Sequence, residues 1–260
     1  RSTWNINNNN MKIINNPTAQ LIAKTQGVGE FANCSLDELI VGLARQSSDK
    51  STIERYEKAI YKLIRYCAKN AHWSVFDMAN IVIQFSGVPM YVVAHLLRHK
   101  SANFQQFSQR YSADIFEAYK IEMRKKGSSN RQGSLVELVE NSQKLQEKAS
   151  ELTKRSFALY QEMLDNGVAP ECARAVLPQN TCSSFAINAT LRTWITLLNV
   201  RLHHHSQKET REVAELIKEI LLEQCPLVAQ AFNNFEGKKG VKFLSYMEYE
   251  ETGKELGEFM

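Results

Sequence analysis

The run RHKSANFQQFSQRYS, Arg98 to Ser112, gathers one histidine, three cations, three glutamines, one asparagine and three serines without a Gly, Pro, Asp or Glu. A solvated loop ordinarily mixes in acids or turn formers, and a buried strand needs partners for this many polar groups. Donors in such excess call for acceptors from outside the segment, and an anionic ligand fits. Arg98 and Arg110 can each grip a phosphate through two N–H groups. Ser108 and nearby backbone N–H groups can donate to the same oxygens, and His99 and Lys100 can meet a second anion. The competing reading is a basic solvated edge, which composition alone does not separate from a ligand site.

Three further groups carry candidate chemistry. In AHWSVFD, His72, Ser74 and Asp77 precede an apolar run, and an Asp in that place is commonly a helix cap. In GVAPECARAVLP, Pro170 opens a short helix on which Glu171 and Arg174 stand at i, i+3, the spacing of a surface ion pair. The third group, NATLRTWITLLNVRLHHHSQKE, contains His203, His204 and His205 in succession. Read as helix, these rings point about 100° apart and cannot share a tetrahedral ion, so no metal is expected. Arg201 and His205, one turn apart, put a cation and an imidazole on one face. An arginine inside LLNVRL is costly to bury unless it meets an anion or an acceptor.

What the chain lacks narrows the classes. It has no nucleophile elbow, no phosphate-binding P-loop and no GxGxxG fingerprint. Its five cysteines are scattered without a CxxC pair, which fits neither a disulfide framework nor a zinc site, and none has an activating neighbour in sequence. A net charge of +4, from 32 basic and 28 acidic residues, is too near balance to argue for nucleic acid. No run of eighteen apolar residues suggests a membrane span, and the expectation is a cytoplasmic protein with no membrane partner. The sequons at Asn33 and Asn188 are then chance matches.

The elements that must position these groups follow from periodicity. MKIINNPTAQLIAKTQ alternates weakly and predicts one or two strands, and Ser35 with Glu38 forms a capping box ahead of a helix. STIERYEKAIYKLIRYCAKN is helical in spacing, and the β-branched run Ile81 to Phe85 reads as a buried strand. Pro89 then opens a helix that delivers Arg98 and His99 at its C-terminal end. After a Gly/Ser loop over 126–134, a long amphipathic helix runs from Leu135 until Gly167 closes it. A further helix is expected from about Cys182 through the three histidines, and a last one from Ser206 to just before Pro226. The fold class is α+β, helix-rich with a central antiparallel sheet. Residues 1–10 read as an appended remnant or disordered arm, and 11–260 as a single domain.

Taken together these segments resemble one family. RHK followed seven residues later by Ser108 resembles the RHR-x7-S signature of the flavin-dependent thymidylate synthases, and GVAPECARAVLP resembles that family's G-x-x-x-E-x-A-R-x-x-LP segment. LRTWITLLNVRLHHHSQKE resembles the segment carrying its substrate-activating arginine and an A-Q-x-E element, and AHWSVFD is similar to its H-x-T-x-F-E. The order and spacing match from about Met11 to Phe232. The resemblance implies reductive methylation of dUMP to dTMP, with FAD as cofactor and with 5,10-methylenetetrahydrofolate and NADPH as cosubstrates. It also implies a homotetramer with shared active sites.

The roles it implies fall on named positions. Arg201 is the catalytic arginine beside the uracil edge, and the dUMP set is His95, Arg98, Gln106, Ser108, Gln109, Arg110, Arg174 and Arg201. The FAD set is Ser47, His72, Ser74, Asp77, Arg98, His99, Lys100, Ser101, Thr190, Arg192, Thr196 and His205. Departures are equally local: Lys100 replaces the third arginine of RHR, Gln106 stands where glutamate is common, His95 where glutamine is frequent, and Thr190 and Thr196 where asparagines are common. They keep two alternatives in view, a related flavin-dependent modification of dUMP such as hydroxymethylation, and a noncatalytic nucleotide- or RNA-binding relative.

Overall fold

Ser35 shows how directly sequence becomes structure here. Its side chain accepts from Glu38 N at 3.2 Å while the Glu38 carboxylate accepts from Ser35 N at 2.7 Å, which starts helix α1, Leu36–Arg45. Such a cap is worth about 0.5–2 kcal/mol. In this computed structural model the described residues are 11–46, 57–110, 117–127 and 132–233. The N-terminal arm, Ser47 and the start of the helix read from Ser51 lie outside them.

The remaining elements, in chain order, are strands β1 (Lys12–Ile14) and β2 (Thr18–Lys24), helix α2 (Glu57–Lys69), strand β3 (Asn80–Pro89), helix α3 (Met90–Leu96) and strands β4 (Asn103–Gln106), β5 (Glu117–Tyr119), β6 (Arg124–Lys126) and β7 (Ser134–Leu138). Helices α4 (Ser142–Asp165) and α5 (Pro170–Ala173) follow, then strand β8 (Cys182–Thr190) and helices α6 (Leu191–Arg201), α7 (Lys208–Gln224) and α8 (Pro226–Asn233). A four-stranded sheet has the order β2-β3-β8-β4 and joins an otherwise helix-rich chain, an α+β architecture with a central antiparallel sheet. Two further small sheets pair β1 parallel to β5 and β6 antiparallel to β7.

Three expectations are corrected. Cys182 to Thr190 is a strand, because its burial alternates and sends Phe185, Ile187 and Ala189 inward with a period of two. Leu135 to Leu138 pairs with β6 instead of opening the long helix, which begins at Ser142. Pro89 ends β3 and caps α3 with extended backbone (φ −68°, ψ 148°), so the helix starts one residue later.

The described residues group into two compact units, one drawn from 11–18, 85–98 and 105–185, the other from 19–84, 99–104 and 186–233. In the first, α4 buries Phe157 and Tyr160 against Ala118 and Ala173, with Met163, Leu164 and Val168 packed around them. Gly167, at φ +82°, closes α4 while Val168 N donates to Met163 O at 2.9 Å. Gly87 has φ +72°, and a Cβ there would come within 3.2 Å of Ile14 Cγ2, so glycine is demanded twice over. In the second unit the fully buried Trp194 donates from its indole N–H to Ile81 O at 3.2 Å, which ties α6 to β3. Asp37 reaches from α1 to accept from Leu227 N at 3.1 Å and Val228 N at 3.0 Å, capping α8, a helix the periodicity did not reveal.

Candidate functional site

The first unit holds most of the positions expected to grip a nucleotide. Helix α3 ends at Leu96, so His95 sits in its last turn, half-buried, and Arg98 is exposed in the turn beyond. The polar run then becomes β4 rather than a continuous loop. Gln106, its last residue, donates from Nε2 to the buried Ser183 Oγ at 3.1 Å and lies 3.4 Å from Met90 Sδ. That amide is therefore oriented, its nitrogen toward protein acceptors. Ser108 Oγ accepts from Arg110 N at 3.3 Å, a local turn that includes the half-buried Gln109.

Arg110 overturns the expected pairing of Glu171 with Arg174. Its Nε and Nη2 both donate to Glu171 Oε2, at 3.0 and 2.7 Å, across 61 residues. Both side chains are more than half exposed, at 60% and 51%, so the pair is labile in water. Arg174 is exposed at the start of the short 3-10 turn that follows α5. One fork and one further cation thus stand at solvent, able to exchange a carboxylate for a phosphate.

The second unit holds the positions expected on the flavin side other than Arg98, and here Asp77 joins Thr190 to Arg192. Thr190 caps α6, its Oγ1 accepting from Thr193 N at 3.2 Å and donating to Asp77 Oδ1 at 3.2 Å. Arg192 Nη1 donates to the other Asp77 oxygen at 3.0 Å, and Thr196 Oγ1 donates to Arg192 O at 2.9 Å. His72 and Ser74 are exposed at the 3-10 turn Trp73–Asp77, with the His72 ring edge-on to Tyr66 at 5.6 Å. Lys100 and Ser101 are exposed in the turn between α3 and β4. Ser47 falls outside the described residues.

Arg201 closes α6 and is half-buried, as an arginine with an acceptor can be. Its Nε donates to His99 Nε2 at 2.9 Å. Burial first, and the neighbouring guanidinium second, push the His99 pKa down to about 4, so the imidazole is neutral and accepts. His205, expected one turn along the same helix, lies beyond the end of α6 in a turn, exposed. Sequence reasoning missed Ser183, Met90 and the Arg110–Glu171 pair; an alternating reading of Cys182 to Thr190 would have faced Ser183 inward.

The residues present fit a dinucleotide. Within the second unit Lys100 and Arg192 are exposed cations suited to a diphosphate, and Thr190, Ser74 and Asp77 supply short polar side chains. All five cysteines are free, and none of the described helices is long and apolar enough to cross a membrane.

Comparison with known proteins gives concordant results. The family model described as thymidylate synthase complementing protein matches residues 32–227. The flavin-dependent thymidylate synthase of Synechocystis sp. is 36% identical over 199 residues, which is 76% of this chain and 89% of the relative. The probable flavin-dependent thymidylate synthase of Paramecium bursaria Chlorella virus 1 is 33% identical over 83% of this chain and 99% of its own length. Among solved structures, a UMP/dUMP methylase, PolB of Streptomyces cacaoi, bound with 5-Br dUMP, superposes with a TM-score of 0.76. It is 24% identical and the match covers 90% of this chain and all of that one, a likeness of fold.

Proposed function

Because this chain belongs to the family of the flavin-dependent thymidylate synthases, we propose that it methylates dUMP reductively to dTMP, with FAD as cofactor. The carbon comes from 5,10-methylenetetrahydrofolate and the electrons from NADPH. The observation that carries this reading is the Arg201–His99 pair, a guanidinium aimed by a neutral acceptor. A bound reduced flavin supplies the hydride equivalent.

Arg201 holds positive charge beside the uracil edge, where the ring carbonyls gain negative charge during the reaction; a preorganised cation there is worth most when water is excluded. Arg110, Arg174 and Ser108 grip the phosphate and ribose, with Arg110 giving up Glu171 in exchange. Gln106, Gln109 and His95 face the nucleotide with donors and acceptors, and Arg98 serves both nucleotide and flavin. His72, Ser74, Asp77, Ser101, Thr190, Arg192, Thr196 and His205 hold the flavin together with His99 and Lys100, and Ser47 joins this set by its place in the sequence. Lys100 keeps the charge of the arginine it replaces without the planar fork.

A homotetramer with shared active sites belongs to the same reading. Leu145, Leu152 and Leu159, exposed at seven-residue intervals along α4, offer apolar surface for it. The free cysteines suit a reducing cytosol. The test is an anaerobic incubation with FAD, NADPH, methylenetetrahydrofolate and dUMP, the nucleotides resolved by mass spectrometry. A methyl product supports the reading, and no conversion by flavin-loaded protein rejects it. The oriented amide of Gln106 favours one second reading, a related dUMP modification, and a hydroxymethyl product would select it.

A further inference from the structure

Three of the six histidines of the chain, His203, His204 and His205, come in direct succession. On a continuing helix their rings would splay by about 100° per residue. Helix α6 ends at Arg201, however, and the three fall in the turn that follows. There they converge: one nitrogen from each ring lies within 4.8 Å of the others, and the ring centroids are 4.3, 4.8 and 3.9 Å apart.

The turn is held through its main chain. Ser206 N donates to His203 O at 2.8 Å, and Ser206 Oγ donates to Val200 O at 2.8 Å. From α7, Arg211 Nη1 donates to His204 O at 3.1 Å and to Ser206 O. A ligand gathering the three rings therefore meets a backbone whose course is already set, and the ordering cost is correspondingly small. The rings are half-buried at His203 and His204 and exposed at His205, so an ion can reach them from solvent.

We propose that His203, His204 and His205 together bind one divalent first-row transition ion, with water in the remaining position. Imidazole nitrogens suit Zn2+, Ni2+ and Cu2+ and select against Mg2+ and Ca2+, which take oxygen ligands. Zinc–nitrogen bonds of about 2.0–2.1 Å place tetrahedral donors roughly 3.4 Å apart, so the rings must close somewhat from their present spread. Side-chain torsions can supply that movement. His203 Nδ1 accepts from His205 N at 3.3 Å, a long bond that ligation at that nitrogen would replace. The Arg211 guanidinium beside the turn opposes the charge of a bound cation and weakens its binding.

The site lies two residues beyond Arg201, so a bound ion would anchor the chain next to that side chain. Because His205 also stands in the proposed flavin set, the test reads metal rather than turnover and centres on His203 and His204, to which that set assigns no role. The full chain, stripped with chelator, is titrated with Co2+ and followed by visible absorption, then with Zn2+ by calorimetry. The expected result is one ion per chain, with cobalt ligand-field bands that Zn2+ abolishes. His203→Gln and His204→Gln should each weaken binding at least tenfold with an unchanged circular dichroism spectrum, whereas His72→Gln should bind normally. Absence of saturable Co2+ and Zn2+ binding, or equal binding by the His203→Gln, His204→Gln double variant, would overturn the proposal.

Discussion

Arg201 Nε donates to His99 Nε2 at 2.9 Å, joining the end of α6 to the turn before β4 across 102 residues of sequence. The acceptor is an imidazole held neutral, with a pKa of about 4. The pair itself thus keeps one positive charge at neutral pH, and its direction is set by a bond that costs the cation none of its charge.

Replacement of that cation should be felt in chemistry rather than in cofactor binding. Arg201→Ala is expected to abolish turnover while FAD remains bound, as read by flavin absorbance of the gel-filtered protein. Turnover at the parent rate would remove Arg201 from its assigned role.

Lys100 is exposed and brings a single ammonium to a place where a planar fork could make two hydrogen bonds. Lys100→Arg should tighten FAD several-fold in a fluorescence-quench titration. An equal or weaker affinity would show that this side chain does not touch the flavin.

The Arg110–Glu171 pair separates binding from stability. Both partners are more than half exposed, so Arg110→Ala should change folding stability by less than about 1 kcal/mol. The same change should weaken dUMP by at least tenfold in calorimetry, because a charge-assisted phosphate contact is lost. A large loss of stability with normal dUMP binding would reverse the assignment.

The half-buried His99 and the buried Asp37 should tilt stability in opposite senses in mild acid. His99 is lowered from 6.5 to about 4, so the unfolded chain binds its proton first, and this contribution, full above pH 6.5, is lost as pH falls toward 4. Asp37 is raised, chiefly by burial, from 3.8 to about 6. Its contribution is full below pH 3.8 and is lost as pH rises through 6. Denaturant melts between pH 4 and 7 should therefore show His99→Gln with a shallower loss on acidification and Asp37→Asn with a steeper one. Parallel profiles for all three proteins would contradict both shifts.

Asp37 also predicts a structural cost. Asp37→Ala strips both side-chain acceptors from the start of α8 and should destabilise the fold by about 1–3 kcal/mol, seen as a lower urea midpoint.

Local signals in the sequence determined a good deal. The Ser35 capping box, the β-branched run of β3 and the closure of α4 at Gly167 are each written within a few residues, because caps, alternation and left-handed glycines act over one turn of chain. The candidate residues stand in short ordered segments in the same way, and their proposed roles rest on the resemblance of those segments to one family. Only the tertiary structure decided what those residues do to one another. It turned Cys182 to Thr190 into a strand, since its pairing between β3 and β4 fixes which face of this mixed polar and apolar segment is buried. It gave Glu171 to Arg110 instead of Arg174, and it supplied Arg201 with a neutral acceptor from a distant turn. It also ended α6 early enough for three histidines to converge, because a helix terminus, unlike a helix, lets adjacent side chains face one point.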